Sequence, residues 1–333
     1  MNAAAGSFRY WHPALPSRRV RSGQAAGVRI GGQSIAVFRT ANGSLGAVSD
    51  QCAHRRMKLS LGKVQGSRLV CPYHGWSFDS DGKGESPSAP KIKACVTSYD
   101  CAEACDVVWI KERGDQPLPR PAMPGWDFVG AVFNRVRAPL ELVIDNFSEV
   151  EHTVTTHPHF GFDPKYADRA IAELESGEDF VTVRNRGPAK MPPVDTRLAI
   201  ALRSGDWFHS NYTFRFDPPC SSVTHFWTDP QSGAERMLKY HVFHYFVPED
   251  ETVTNIVTFG FLKVKWPLIR HLKPQLGWLF RRKLRQTVDE DAFILENLAD
   301  KSTALEGMKL SRFDSILGLT RERLRRIYKG GPV

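Results

Sequence analysis

No hydrophobic run in the 333-residue sequence approaches the roughly 20 apolar residues a membrane-spanning helix needs. The nearest stretch, "NIVTFGFLKVKWPLI", is interrupted by two lysines. The start, "MNAAAGSFRYWHPALPSRRV", lacks the uninterrupted apolar core of a secretory signal. The chain therefore reads as having no transmembrane segment and is expected in the cytoplasm. Cysteine is scarce as well: six residues in a chain of this length exclude a disulfide scaffold. Cys95, Cys101 and Cys105 cluster in "ACVTSYDCAEACDVVWI" with no fourth ligand nearby, so they read as reduced core or surface thiols. There is no internal repeat and no low-complexity tract, which excludes solenoids and fibres.

What is present fits an ordinary globular protein. Hydrophobic residues make up 41% and charged residues 24%, enough to bury substantial cores, and the length suits about two domains. The formal net charge of +9 is partly local, with Arg270, Lys273, Arg281, Arg282, Lys283 and Arg285 in one run and a basic tail, "RERLRRIYKGG". A solvated helix face is the plain reading of such a run. Docking of an acidic electron carrier is the sharper one. No recognised binding motif accompanies the charge, so no nucleic-acid partner is expected.

"CAHRRMKLSLGKVQGSRLVCPYHGW" places Cys52 and His54 in one pair, and Cys71 and His74 in a second, sixteen residues on. A zinc finger of the Cys2His2 kind groups its cysteines together and its histidines together. Mixed pairs suit a site with two metals, each taking one kind of ligand. A Rieske [2Fe-2S] cluster is such a site, with two cysteines on one iron and two histidines on the other. A structural zinc protein is the rival reading, and colour separates them: the cluster is brown, zinc colourless.

The first hundred residues read as short strands separated by turns. "SIAVFRTANGSLGAVSD" is a hairpin through Asn42-Gly43, "WSFDSDGKGE" turns at Asp81-Gly82, and "DVVWIKE" is a closing strand. Four prolines between 113 and 125 have linker composition. The boundaries are an N-terminal domain over 1–115, a linker over 116–125 and a second domain over 126–333. The second domain begins with a strand, "WDFVGAVFN", and a helical pattern, "APLELVIDNFSEVEHTV". β-rich segments follow at 180–186, 197–203, 207–216, 221–228, 239–247 and 252–262, and a long helical pattern runs from about 268. Helices flanking a run of strands indicate an α+β domain with an antiparallel sheet.

"DNFSEVEHTVTTHPHFG" supplies a second constellation of Asp145, Glu149, His152 and His157. The spacing of 145, 149 and 152 puts three of them on one face of a helix. For His157 to join His152 at one ion, the helix must end, widen or turn between them; the β-branched run 153–156 and Pro158 favour that. Two imidazoles and one carboxylate form the facial triad of non-haem Fe(II) oxygenases. The carboxylate is local (Glu149) or remote. In "QTVDEDAFILENLADK" the apolar stripe Val288, Ala292, Leu295, Ala299 contains Asp291, and a core-facing carboxylate must be paired or bound to metal. Asp289 and Glu290 read as solvent-facing, with Glu296 a weaker competitor. In the aromatic-rich strands His209, Asn211, His241 and His244 are the candidate polar groups of a pocket. "WPLIRHLKPQLGWLFRR" reads as an amphipathic helix on the sheet, with a lid, a carrier dock or a membrane-surface contact as alternatives.

Over nearly its whole length the sequence resembles the oxygenase (α) subunits of Rieske non-haem iron oxygenases. Cys52, His54, Cys71 and His74 match the cluster motif, including the "CPYHGW" context; "DNFSEVEHTVTTH" matches the pattern of an acid and two histidines; "DEDAFILE" is similar to the segment giving the third iron ligand, here Asp291. The resemblance implies an all-β Rieske domain followed by a helix-grip catalytic domain, assembled as a head-to-tail homotrimer of the phthalate-, dicamba- and demethylase-like group. It implies a [2Fe-2S] cluster and a mononuclear Fe(II), with NAD(P)H electrons arriving through a reductase or ferredoxin. The product would be a hydroxylated or demethylated aromatic, alkaloid-like or alicyclic molecule, by monooxygenase or dioxygenase chemistry. It also gives Glu149 as an acid bridging His74 of one chain and His152 of its neighbour; with Asp145 from the same helical pattern, Glu149 is a candidate catalytic acid. Glu149 stands where the family usually has Asp, as in its quaternary-ammonium branch, whereas "DNF" is similar to the aromatic and alkaloid demethylases. A betaine- or carnitine-like monooxygenase and an electron-transfer protein without oxygenase activity are the alternatives.

Overall fold

The computed structural model describes residues 7–194, 201–264 and 273–331. The chain divides into two compact units, Met1–Arg120 with Val247–Glu251, and Pro121–Phe246 with Thr252–Val333.

The first unit is built from strands β1 (His12–Pro16), β2 (Ala25–Ile30), β3 (Gln33–Arg39), β4 (Leu45–Ser49), β5 (Lys63–Gln65), β6 (Arg68–Val70), β7 (Ser77–Phe78), β8 (Lys83–Glu85), β9 (Ala94–Cys95), β10 (Ser98–Ala104) and β11 (Val107–Lys111). They form a six-stranded sheet, β1-β11-β10-β4-β3-β2, and a five-stranded sheet, β5-β6-β7-β8-β9. The Asn42-Gly43 turn joins β3 to β4, and Asp81-Gly82 joins β7 to β8. Gly82 has φ +79°, and a Cβ there would stand 2.0 Å from the Val96 carbonyl, so only glycine fits. The closing strand β11 is buried at every position; Lys111 is ion-paired to Asp100 at 2.7 Å, which offsets the cost of enclosing its charge.

In the second unit the strands are β12 (Asp127–Val136), β13 (Ile171–Ser176), β14 (Phe180–Pro188), β15 (Trp207–Phe216), β16 (Pro219–Thr228), β17 (Leu238–Pro248) and β18 (Thr254–Val264). They form one seven-stranded antiparallel sheet ordered β12-β18-β17-β16-β15-β14-β13. Helices α1 (Leu140–Ser148), α2 (Lys273–Glu296) and α3 (Leu317–Arg323) belong to the same unit. This is the α+β arrangement expected from the sequence. Residues 197–200 of the strand expected at 197–203 lie outside the described residues, and 201–203 carry no strand. The edge strand β13 was not anticipated: "IAELES" is polar and wholly exposed, and holds its register to β14 through the ion pairs Glu173–Arg186 and Glu175–Arg184.

Burial alternates along β15 and β16, as a pleated sheet with one covered face requires. Phe208, Ser210, Tyr212, Phe214 and Phe216 point inward from β15, and Ser221, Val223, His225 and Trp227 from β16. Phe214 is fully buried between Tyr212 and Phe246. Phe214→Ala is expected to cost about 3–5 kcal/mol and to lower the calorimetric Tm of this unit by roughly 6–20 °C. A shift of under about 2 °C would show that the site refills by collapse.

Helix α2 lies on β12: Arg285 Nη1 donates to the Phe133 carbonyl at 3.0 Å, and Asn134 donates to Asp289 at 2.7 Å. Its buried stripe holds Leu284, Val288, Asp291 and Leu295. The helix stops at Glu296, so Ala299 lies beyond it. The basic run is described only from Lys273 onward.

One expectation needs correction. Asp145, Glu149 and His152 do not share a helical face, because α1 ends at Ser148 and Glu149 is extended (φ −106°, ψ 158°). Tyr212 donates its hydroxyl to the Ser148 carbonyl, satisfying a group that the helix end leaves open. A 3-10 turn, Glu151–Val154, follows, closed by the Thr153 hydroxyl on the Val150 carbonyl at 2.7 Å and by Lys190, which donates to the Thr153 and Val154 carbonyls. Threonine competing for local carbonyls is what a helix interior tolerates poorly.

Candidate metal centres and cavity

Two loops of the first unit bring the mixed pairs together. In one, Cys52 accepts from the Arg56 N–H (2.9 Å), with Arg56 at φ 56°. In the other, the Cys71 N–H donates to the Trp76 carbonyl (2.7 Å) and Gly75, at φ 73°, donates back to Cys71 (3.1 Å). Both cysteines are buried at 2% exposure, whereas both histidines are exposed. The two imidazoles meet edge to face with ring centroids 4.5 Å apart, and His54 also stacks on Trp76. Burial raises the pKa of the Cys52 thiol; backbone hydrogen bonds from His54 and Arg55 oppose this, and the adjacent Cys71 side chain adds to it. Two adjoining thiols suit one metal, and two imidazoles beyond them suit another. The donor set fits a Rieske cluster.

In the second unit, ligand atoms of His152, His157 and Asp291 all lie within 4.8 Å of one another. The Asp291 Oδ1 atom is 3.5 Å from His152 Nε2 and 3.2 Å from His157 Nε2, is buried, and makes no hydrogen bond. The opposite nitrogens face carboxylates: His152 Nδ1 lies 2.5 Å from Glu149 Oε1, and His157 Nδ1 lies 2.9 Å from Glu290 Oε2. Outer carboxylates of this kind orient metal-bound imidazoles and raise their basicity. Burial alone would depress the His157 pKa, but the adjoining carboxylates of Asp291 and Glu290 outweigh it and lift it to about 9. The carboxylates thus call for a cation at this point, and the donor set fits a mononuclear iron with open positions.

These residues end a cavity of about 310 Å³, within the range of small-molecule sites. Its wall is mainly apolar, including Phe147, Phe160, Trp227, Tyr240, Phe280 and Val288. Lys283 also lines it and donates to His159 Nε2 at 3.1 Å.

Residues 10–100 match the family model of the Rieske [2Fe-2S] domain. Residues 136–327, more than half of the chain, match that of the vanillate O-demethylase oxygenase C-terminal domain. The chain belongs to the Rieske non-haem iron oxygenases. This oxygenase is 33% identical to chlorophyllide a oxygenase of Chlamydomonas reinhardtii over 164 residues, 47% of this chain and 25% of that protein. It is 26% identical to 4beta-methylsterol monooxygenase of Methylococcus capsulatus over 317 residues, 87% of this chain and 80% of that protein. Its fold is that of dicamba monooxygenase bound to 3,6-dichlorosalicylic acid, with TM-score 0.80 and 18% identity over 97% of this chain and 98% of the other.

Rieske oxygenases are oxidoreductases that carry a [2Fe-2S] cluster and a mononuclear iron and draw on NAD(P)H through a reductase or ferredoxin. No helix among the described residues of this one is long and apolar enough to cross a membrane. The site-forming residues expected from the sequence are placed as follows. Cys52, His54, Cys71 and His74 are gathered in one pair of loops, and His152, His157, Asp291 and Glu149 around one point. Asp145 stands apart: Arg321 Nε lies 3.1 Å from each of its oxygens, and it does not line the cavity. Glu296 is bonded to Arg137. Of the candidate pocket groups, His244 lines the cavity, while His209, Asn211 and His241 do not.

Glu290 corrects the sequence reading, since it reaches His157 rather than solvent. His225 was missed. The alternation of "CSSVTHFWT", with Val223 and Trp227 inward, places His225 on the same face, which is the signal that finds it.

Proposed function

We propose that this chain is the terminal oxygenase for a mainly apolar aromatic or alicyclic substrate, which it hydroxylates, or demethylates where the carbon attacked is an O- or N-methyl group. The observation that carries this reading is the apolar cavity ending at His152, His157 and Asp291. Cys52 and Cys71 would hold one iron of the cluster and His54 and His74 the other; His152, His157 and Asp291 would hold the mononuclear iron. Bound there, these groups supply single-electron transfer and O2 activation. Overall, one C–H bond, O2, two electrons and two protons give one C–OH and water; a hydroxylated methyl on oxygen or nitrogen then leaves as formaldehyde.

The chain's own residues do the rest. Glu149 and Glu290 fix the imidazole rings through Nδ1, leaving each Nε2 turned toward Asp291. The aromatic wall excludes water and holds the substrate's apolar body. Lys283 at the cavity disfavours a quaternary ammonium substrate, whose charge it repels.

Domain limits of 1–115, 116–125 and 126–333 are supported by the division after Arg120, inside the linker. A homotrimer and a cytoplasmic location complete the reading, the latter supported by the free cysteines and the need for reduced nicotinamide.

The test is turnover of a substrate panel with a surrogate reductase, read by mass spectrometry for gain of one oxygen or loss of one methylene. Reductant-dependent O2 uptake without product from any panel member would count against it. Glu149→Gln tests the site's wiring, because it keeps the shape and removes the charge beside His152. It is expected to retain iron and a reducible cluster while slowing single-turnover transfer at least ~100-fold, about 2.7 kcal/mol of barrier. Loss of iron instead would make Glu149 itself a ligand.

A further inference from the structure

One row of polar side chains crosses three strands of the cavity floor, where the other polar groups, Tyr212 and His244, are already bonded to the Ser148 carbonyl and the Thr258 hydroxyl. Ser210 on β15 pairs in register with His225 on β16, which pairs with Tyr240 on β17, and all three line the cavity. The rows on either side hold Phe208 with Trp227, and Tyr212 with Val223 and Val242. His225 is only 8% exposed, and its Nδ1 is buried without a hydrogen-bond partner. A buried polar atom left unpaired is costly, so this nitrogen has a standing demand for a partner. The ring cannot swing away to meet one elsewhere. It stacks on Phe208 (centroids 5.4 Å, 9°) and is flanked by Tyr240 at 4.8 Å and Phe160 at 5.2 Å. His244, by contrast, is satisfied: its Nδ1 lies 2.8 Å from the Thr258 hydroxyl.

We infer that the Ser210–His225–Tyr240 row is the specificity element of this cavity, and that it reads one uncharged hydroxyl or carbonyl on an otherwise apolar substrate. The inference rests on the cavity being the oxygenase's substrate site. Burial first, then the charges of His244, His157 and His241, hold the imidazole neutral, with a pKa of about 3. The row therefore offers hydrogen bonds and no formal charge, and a carboxylate buried against it would lack a counter-charge. The distance scale is short. Phe160 stacks on His157 at 4.7 Å and touches His225 at 5.2 Å, so the polar handle is held two ring contacts from the metal-ligand histidine.

The test uses the holoenzyme under anaerobic conditions and three probes of one skeleton: 2-methoxynaphthalene, 6-methoxy-2-naphthol and 6-methoxy-2-naphthoate. Binding is measured by titration calorimetry, and demethylation separately as formaldehyde released with a surrogate reductase. The naphthol is expected to bind at least ~10-fold tighter than the methoxynaphthalene, one good hydrogen bond's worth. His225→Phe, which preserves the stacked ring, is expected to erase that preference with iron content unchanged. His225→Gln, which restores a polar group, is expected to recover part of it, and this covers failure of the Phe variant to fold. Equal binding of naphthol and methoxynaphthalene, no binding of either, or a preference that survives in His225→Phe overturns the inference. So does a preference for the naphthoate that Lys283→Met abolishes, which would move recognition to the lysine. Demethylation without the naphthol preference would leave the oxygenase reading standing and sink this one; preference without demethylation would do the reverse.

Discussion

His157→Ala is expected to lose about one iron per chain and all turnover while keeping the visible spectrum of the cluster, because separate ligands serve the two sites. His157 is 1% exposed, with Nε2 at 3.2 Å from Asp291 and Nδ1 against Glu290. Removing the imidazole leaves two carboxylates facing each other across a buried gap with one histidine remaining. Two ligands hold a divalent ion poorly, and Glu290 keeps only its bond from Gln286 Nε2 at 2.9 Å. Metal analysis alongside the visible spectrum checks both halves of the expectation. Asp291→Ala should behave in the same way. Glu296→Ala should not, since that carboxylate is engaged with Arg137. Near-normal oxygenation by His157→Ala would show that the triad is misassigned.

Cys71→Ser should have the complementary effect: visible absorption and acid-labile sulfide lost, reductase-driven turnover abolished, and the mononuclear iron retained. The loop around Cys71 is held by its backbone, through the Trp76 carbonyl and the Gly75 N–H, so serine can take the position without unravelling it. What changes is the donor. A hydroxyl is a harder and far weaker acid than a thiol, and iron–sulfur clusters are held by thiolates. A brown, sulfide-containing Cys71→Ser protein would remove Cys71 from the ligand set. Colourless wild-type protein containing zinc would end the cluster reading altogether.

The two centres were legible in the sequence to different depths. The proposed cluster ligands lie within 23 residues, from Cys52 to His74, on two tight loops. Short-range spacing and donor chemistry together constrain what such a group can bind. His152 and His157 were readable for the same reason, and Asp291 because a carboxylate inside an apolar helical stripe needs a partner. Glu290 was not readable. It neighbours Asp291 on α2, and whether it meets solvent or a histidine depends on a loop 133 residues away in sequence. Asp145 was misread for a related reason. Its helix ends at Ser148, where the Tyr212 hydroxyl takes a carbonyl and threonines close a 3-10 turn, and its partner Arg321 lies 176 residues on.

The sequence by itself determined the α+β class of the second unit, the hairpins at Asn42-Gly43 and Asp81-Gly82, and which thiols, imidazoles and carboxylate are the candidate metal donors. These follow from backbone propensity and ligand chemistry, which act over a few residues. Only the tertiary structure decided which strand face is the inner one, separating His225 from His209, and so what the cavity can recognise. Alternation along a strand assigns side chains to two faces but leaves open which face is covered; in this protein the packing of α1 and α2 against the sheet makes that choice.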